Sequence, residues 1–155
     1  MSSADFDTFC DKAKNNFDLL KQQRIFSMNA RPVGLKIPAI YVFYENDKPV
    51  YVGRTNNLAQ RLRAHVTASH NSASFALKRT RKRHQEISKA TYKTTLSRSQ
   101  ITAHEVYGAT FRDEIDSIKG MDFRFLEIKS HIEQYLTELY VTMALGLDTD
   151  GFDNS

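Results

Sequence analysis

A single cysteine, Cys10, stands in the 155-residue chain, so no intrachain disulfide can form and the fold needs no oxidising compartment. No apolar run approaches the roughly 20 residues that span a bilayer. The start Met1-Ser2-Ser3-Ala4-Asp5 lacks the basic-then-apolar order of a signal peptide. The expectation is a soluble, cytoplasmic protein with no membrane partner. His70, His84, His104 and His131 are scattered without the spacing of a zinc site. No glycine-rich loop offers a phosphate cradle, and Asp148-Thr149-Asp150-Gly151 begins like a calcium loop but lacks the downstream bidentate acid. With no internal repeat or low-complexity linker, the length suits one domain around one core.

What the chain does have is positive charge gathered in one place. The net charge is only +4, but eleven of the 22 Lys and Arg residues lie between Arg54 and Arg98, where the one acid is Glu86. Such a local excess is an electrostatic footprint for a polyanion. The alternative reading is a solvated basic helix face.

Periodicity predicts the elements. Phe6, Phe9, Cys10, Ala13, Phe17 and Leu20 form a helical stripe that Ser2 and Asp5 can cap, and Pro32, Gly34 and Pro38 punctuate a connector after it. Ala39 to Tyr44 and Val50 to Val52 are β-branched and aromatic around a turn-forming Glu45-Asn46-Asp47-Lys48, which predicts a hairpin. For Tyr41 and Tyr51 to share a face, side-chain alternation requires an odd loop, and a three-residue loop over Glu45, Asn46 and Asp47 supplies it. Asn56 or Thr55 then caps a helix burying Leu58 and Leu62, with Arg61 and His65 in a parallel row at the edge of that stripe. A basic helix begins near Lys78, while 88–107 gives no clear strand or loop pattern. Thr110 and Asp113 read as the cap of a helix bearing Phe111, Ile115 and Ile118 and stopped by Gly120. A strand from Met121 to Ile128 follows, then a helix opened by Ser130 with the apolar stripe Ile132, Leu136, Leu139, Tyr140 and Met143.

Two tyrosines ten residues apart in Ala39-Ile40-Tyr41 and Tyr51-Val52-Gly53, with Arg61 ten and His65 fourteen residues beyond the second, form the most specific pattern of the chain. This arrangement resembles the GIY-YIG family of metal-dependent DNA endonucleases, with Ala-Ile-Tyr where the family name has Gly-Ile-Tyr. The resemblance implies an α/β (α+β) fold: a small three-stranded antiparallel sheet flanked by helices, with an N-terminal helix and a basic insertion. Residues 1–38 would be a helix and connector packed on the core, and 39–155 a GIY-YIG-like domain with the insertion near 70–108.

The same resemblance assigns roles. Tyr51 would be the base for the attacking water, with Tyr41 its partner or alternate. A free phenol, with a pKa near ~10, needs cations beside it for that task, and Arg54, Arg61 and a metal ion would supply them. Arg61 would grip the scissile phosphate with its planar fork of donors. His65 and Arg54 match positions aimed at the site. Glu133 would anchor one Mg²⁺ or Mn²⁺ per active site, since Mg²⁺ binds through one or two carboxylates and keeps waters and phosphate oxygens. A capping box of Ser130 and Glu133 is the structural alternative, and Glu138 and Glu127 are further candidates. Lys78, Arg79, Arg81, Lys82, Arg83 and Asn154 would contact DNA, in double-stranded form, and the oligomeric state stays open. The implied activity is endonuclease cleavage of restriction or of repair and recombination type. A non-cleaving DNA-binding module of the same fold, a ribonuclease and a toxin nuclease remain the alternatives.

Overall fold

The computed structural model describes residues 2–88 and 96–147. The chain forms two compact units, one of Met1–Arg61 with Met121–Ser155 and one of Leu62–Gly120.

The first unit is built on an antiparallel sheet. Strand β2 (Ala39–Glu45) lies between β3 (Lys48–Thr55) and β4 (Asp122–Glu127). A two-residue strand β1 (Phe26–Ser27) pairs with β4 through Phe26 and Phe123, giving the order β1-β4-β2-β3. The sheet therefore has four strands, not the expected three. Two residues leading straight into a 3₁₀ turn at Met28–Ala30 are too short to show the alternation that marks a strand in sequence.

The β2–β3 hairpin solves its parity problem differently from expectation. Its turn is two residues, Asn46 and Asp47, at φ of 51° and 66°. These left-handed conformations are the ones a type I′ turn requires and that Asn and Asp tolerate. A regular two-residue hairpin would set Tyr51 opposite Val42 and turn the tyrosines to opposite faces. A bulge intervenes: the register shifts from Tyr44↔Pro49 to Phe43↔Tyr51, leaving Val50 as the extra residue. Pro49, which has no N–H for the ladder, stands beside the irregularity. Beyond it Tyr41 lies opposite Gly53, so both tyrosines project from one face.

The other face is aliphatic. Ile40 and Val42 pack with Leu20 of α1 (Ser3–Lys21) and Val141 of α7 (His131–Ala144), together with Ile128. Each such side chain taken out of water contributes roughly 1.5–3 kcal/mol before the entropy of ordering it is counted. Helix α1 begins at a complete capping box: Asp5 N–H donates to the Ser2 hydroxyl, and the Asp5 carboxylate accepts from Ser2 N–H. Its expected stripe is only partly internal, since Ala13 and Leu20 are buried and Phe6 is exposed.

In α7 the expected buried stripe is rotated out. Ile132, Leu139 and Met143 are exposed, while Gln134, Thr137, Val141 and Thr142 are buried. The three polar residues can turn inward because each finds a partner: Asn16 of α1 donates to the Thr137 hydroxyl at 3.2 Å, the Gln134 amide donates to the carbonyls of Ile128 and Thr55, and the Thr142 hydroxyl donates to the Glu138 carbonyl at 2.6 Å. Satisfied hydrogen bonds remove most of the cost of burying them. At the helix start Ser130 accepts from Glu133 N–H at 3.3 Å, but the Glu133 carboxylate does not complete a capping box; it accepts from Asn16 Nδ2 at 2.8 Å.

The second unit is helical. It contains the last turn of α2 (Leu58–His65), then α3 (Ser74–Arg83), α4 (Gln85–Ser88), α5 (Arg98–Ala103) and α6 (Glu105–Lys119). Phe75, Leu77, Ile101, Phe111, Ile115 and Ile118 are among its buried side chains. Helix α6 begins earlier than expected. Its cap is His104, whose Nδ1 accepts from Val106 and Tyr107 N–H, and Thr110 and Asp113 lie inside the helix. An imidazole in the capping role escapes a search for Ser, Thr, Asp or Asn. Gly120 ends α6 as expected.

Candidate active site

The site grows from the aromatic face of the hairpin. Tyr41 is fully buried and Tyr51 half-buried. Their rings lie 6.2 Å apart, with Phe43 5.5 Å from Tyr41 and 6.0 Å from Tyr51. Gly53 makes room for this packing. A Cβ there would fall inside the Tyr41 phenol, among Cε1, Cζ and Oη. The absent side chain lets the Tyr41 ring lie across β3.

Arg61 joins the pair from α2. The turn before that helix is held by Thr55, whose hydroxyl accepts from Asn57 N–H at 3.0 Å, and by Asn57, whose Oδ1 accepts from Gln60 N–H at 3.1 Å. Asn57 is thus the cap, one residue beyond the expected Asn56 or Thr55. The Arg61 guanidinium donates to both phenolic oxygens.

The electrostatics follow from burial. Burial pushes the Tyr41 phenol well above its usual pKa, the neighbouring Tyr51 adds to the rise, and Arg61 pulls it partly back. Tyr41 is therefore a neutral phenol at neutral pH. Burial works against the Arg61 charge, but the two phenols outweigh it and hold its pKa above the ordinary value.

β3 is the outer strand of the sheet. On its other face Arg54 extends its guanidinium over the ring of Tyr135, 3.6 Å from the centroid. The Arg54 backbone N–H donates to the carboxylate of Glu138. Burial raises the Glu138 pKa, and the Arg54 charge and N–H only partly offset it. The Tyr41 phenol over Gly53 and the Glu138 carboxylate at Arg54 thus flank adjacent residues of the outer strand.

Of the residues singled out in the sequence, Tyr41, Tyr51 and Arg61 come together. Arg54 is the next residue along from Gly53, on the opposite face. Glu133 does not join them: its carboxylate points to Asn16 of α1, on the side of the sheet that carries Ile40 and Val42. His65 belongs to the second unit, where it is buried with its ring edge-on to Phe75 at 6.4 Å. Glu138 was legible as a candidate, but only its contact with Arg54 raises it above Glu133. Among the described residues no group of three His, Cys, Asp or Glu side chains could hold a metal ion.

The basic residues divide. Glu114 of α6 is buried and receives Arg79 Nε on one oxygen and Arg83 Nη1, at 3.2 Å, on the other. Burying a carboxylate is costly unless it is paired and hydrogen-bonded, and the two guanidinium groups do this. Lys82 is exposed, and Lys78 and Arg81 are half-buried. Asn154 lies outside the described residues.

No helix among the described residues is long and apolar enough to cross a membrane. Searches of curated proteins and of solved structures gave no match. The family model of the GIY-YIG catalytic domain matches residues 37–107, a stretch that holds both tyrosines, Gly53, Arg61 and His65. A helix-flanked antiparallel sheet with this hairpin agrees with that match, and over residues 37–107 the chain is similar to the GIY-YIG catalytic domain, a nuclease domain.

Proposed function

We propose that the chain is a divalent-metal-dependent endonuclease acting on double-stranded DNA, with Mg²⁺ or Mn²⁺ as its ion, one per site. The observation that carries the proposal is the single guanidinium bonded to two phenols beside a glycine that cannot take a side chain. This arrangement is costly to bury for packing alone and suits a phosphate ester.

Tyr51, half-buried beside Arg61, takes the proton of the attacking water, and the guanidinium stabilises the phenolate this needs. Tyr41 holds its own proton and orients Arg61 and Tyr51. Arg61 keeps donors for a non-bridging phosphate oxygen, and Arg54 supplies a second positive charge at the strand edge. His65 is kept as a supporting residue of α2.

A divalent ion here would rest on a single carboxylate with waters and phosphate oxygens completing its shell. Glu138 is a carboxylate raised by burial and only partly compensated by Arg54, so a cation beside it removes a standing electrostatic cost. Glu133 is already met by Asn16, which makes Glu138 the better anchor and Glu133 the second. The bound ion would act as a Lewis acid on the phosphoryl group and lower the pKa of water. Lys78, Arg81 and Lys82 supply contacts for the DNA backbone, Arg79 and Arg83 weaker ones because Glu114 already pairs with them, and Asn154 a further one.

The test is supercoiled plasmid incubated with Mg²⁺ and with EDTA, using wild type, Arg61→Ala, Glu138→Ala and Glu133→Ala. Metal-dependent nicking by wild type, reduced about 100-fold or more in Arg61→Ala and likewise in Glu138→Ala, is expected. Nicking that survives EDTA would end the metal assignment. Binding without cutting across many DNAs would favour a non-cleaving module, and preferential cutting of RNA a ribonuclease. Discrete bands would mark site-specific cleavage and a smear cleavage without sequence choice.

A further inference from the structure

We propose that Gln134 is a positioning residue, whose buried amide fixes the point where β3 ends and α2 is launched and thereby sets where Arg61 meets the two tyrosines. The inference rests on the proposed role of Arg61. Gln134 is fully buried on α7. Its Nε2 donates to the carbonyl of Ile128, at 2.7 Å, and to that of Thr55, at 3.3 Å. One side-chain amide thus ties together the loop after β4, the last residue of β3 and the first turn of α7.

Thr55 is where this tie reaches the site. Its hydroxyl accepts from Asn57 N–H at 3.0 Å, Asn57 Oδ1 accepts from Gln60 N–H at 3.1 Å, and the Asn57 carbonyl accepts from Arg61 N–H at 3.0 Å. From Gln134 to the backbone of Arg61 there is an unbroken series of hydrogen bonds. The first turn of α2 is also held by Leu58 and Ala59 N–H, which donate to the carbonyls of Ile37 and Leu35. Those bonds fix where α2 starts along the chain before β2. Gln134 fixes the strand end from which it departs.

Packing alone does not account for this amide. Gln134 Oε1 is buried without a hydrogen-bond partner among the described residues. An unpaired buried acceptor is destabilising, and a methionine of similar length would fill the space without it. What the amide adds is the pair of donors that reach two backbone carbonyls. The choice of which end of the amide faces those carbonyls follows from their needing donors.

The experiment compares wild type, Gln134→Met and Gln134→Glu, with Arg61→Ala as reference. The primary readout is the set of side-chain NMR resonances of isotope-labelled tyrosine at neutral pH, which needs no catalytic activity. Because the Arg61 guanidinium donates to the Tyr41 and Tyr51 oxygens, loss of its position should move both tyrosine resonances in the direction of Arg61→Ala. Gln134→Met and Gln134→Glu are both expected to show that shift while keeping a cooperative melt. Tyrosine resonances unchanged in both variants would overturn the assignment. So would loss of folding in both, which would make Gln134 a scaffold residue.

Plasmid cleavage is the second readout. A fall of about 10-fold or more in kcat with KM within about 2-fold is expected for Gln134→Met, as for a misplaced transition-state contact. Wild-type kcat in that variant would also count against the assignment. Absence of cleavage by the wild type would instead count against the nuclease reading and leave the tyrosine resonances to decide the role of Gln134.

Discussion

The two faces of the central sheet are made of different material. One carries Ile40, Val42, Val52 and Leu126 against the helices α1 and α7, a closed aliphatic layer. The other carries Tyr41, Phe43 and Tyr51, and Arg61 reaches its two phenols. Strand alternation lets one hairpin serve both: Ile40, Val42 and Val52 face the helices, and Tyr41, Phe43 and Tyr51 project from the other side. Changes on the two faces should therefore separate stability from activity.

The largest expected effect is on the aromatic face. Gly53→Ala drives a methyl group into the Tyr41 phenol, and displacement of the tyrosine should lower cleavage about 100-fold. Unfolding free energy should fall by roughly 1–3 kcal/mol from overpacking. Plasmid nicking and thermal melting measure the two, and full activity with a glycine-like melt would break the comparison. On the aliphatic face Val141→Ala should cost about 1–2 kcal/mol, two lost methyl groups' worth of burial, with the cleavage rate unchanged below the melt. Met143→Ser, on the exposed side of the same helix, should stay within about 0.5 kcal/mol. Equal losses for the two would show that the α7 faces are assigned wrongly.

Glu138 accepts from the backbone N–H of Arg54 on the outer strand. Burial raises its pKa in the folded protein, so its contribution to stability is fully present below the unfolded pKa and is lost as pH rises through the folded value. Glu138→Gln removes that loss. The variant should melt above the wild type at about pH 7, with the difference vanishing near about pH 4. A gain that grows on acidification would reverse the sign and refute it. The smallest effect belongs to the turn. Asp47→Ala at φ 66° should cost about 1 kcal/mol and Asp47→Gly much less, read by denaturant titration.

The hairpin was legible because its constraints are local and geometric. Tyr41, Tyr51 and the turn residues are close in sequence, and alternation demands an irregularity even though it does not say whether a three-residue loop or a bulge at Val50 provides it. Arg61 was legible from its spacing. The α7 face was not, because hydropathy ranks Ile132 and Leu139 as internal and Gln134 and Thr137 as external. The order reversed through hydrogen bonds to Asn16, Thr55 and Ile128, residues distant or unremarkable in sequence. The same long-range partner, Asn16, drew Glu133 away from the tyrosines. His104 was missed as a cap because imidazole seldom plays that part.

Glu114 alters how a polyanion held by α3 would respond to ionic strength. Each phosphate neutralised contributes about 0.9 to the slope of log affinity against log salt concentration. From Lys78 to Arg83 the sequence offers five cations, but two of them, Arg79 and Arg83, are already partnered by one internal carboxylate. Binding through this helix should thus fade less steeply with added salt than the sequence tally suggests, and replacing Glu114 would change that steepness as well as the packing.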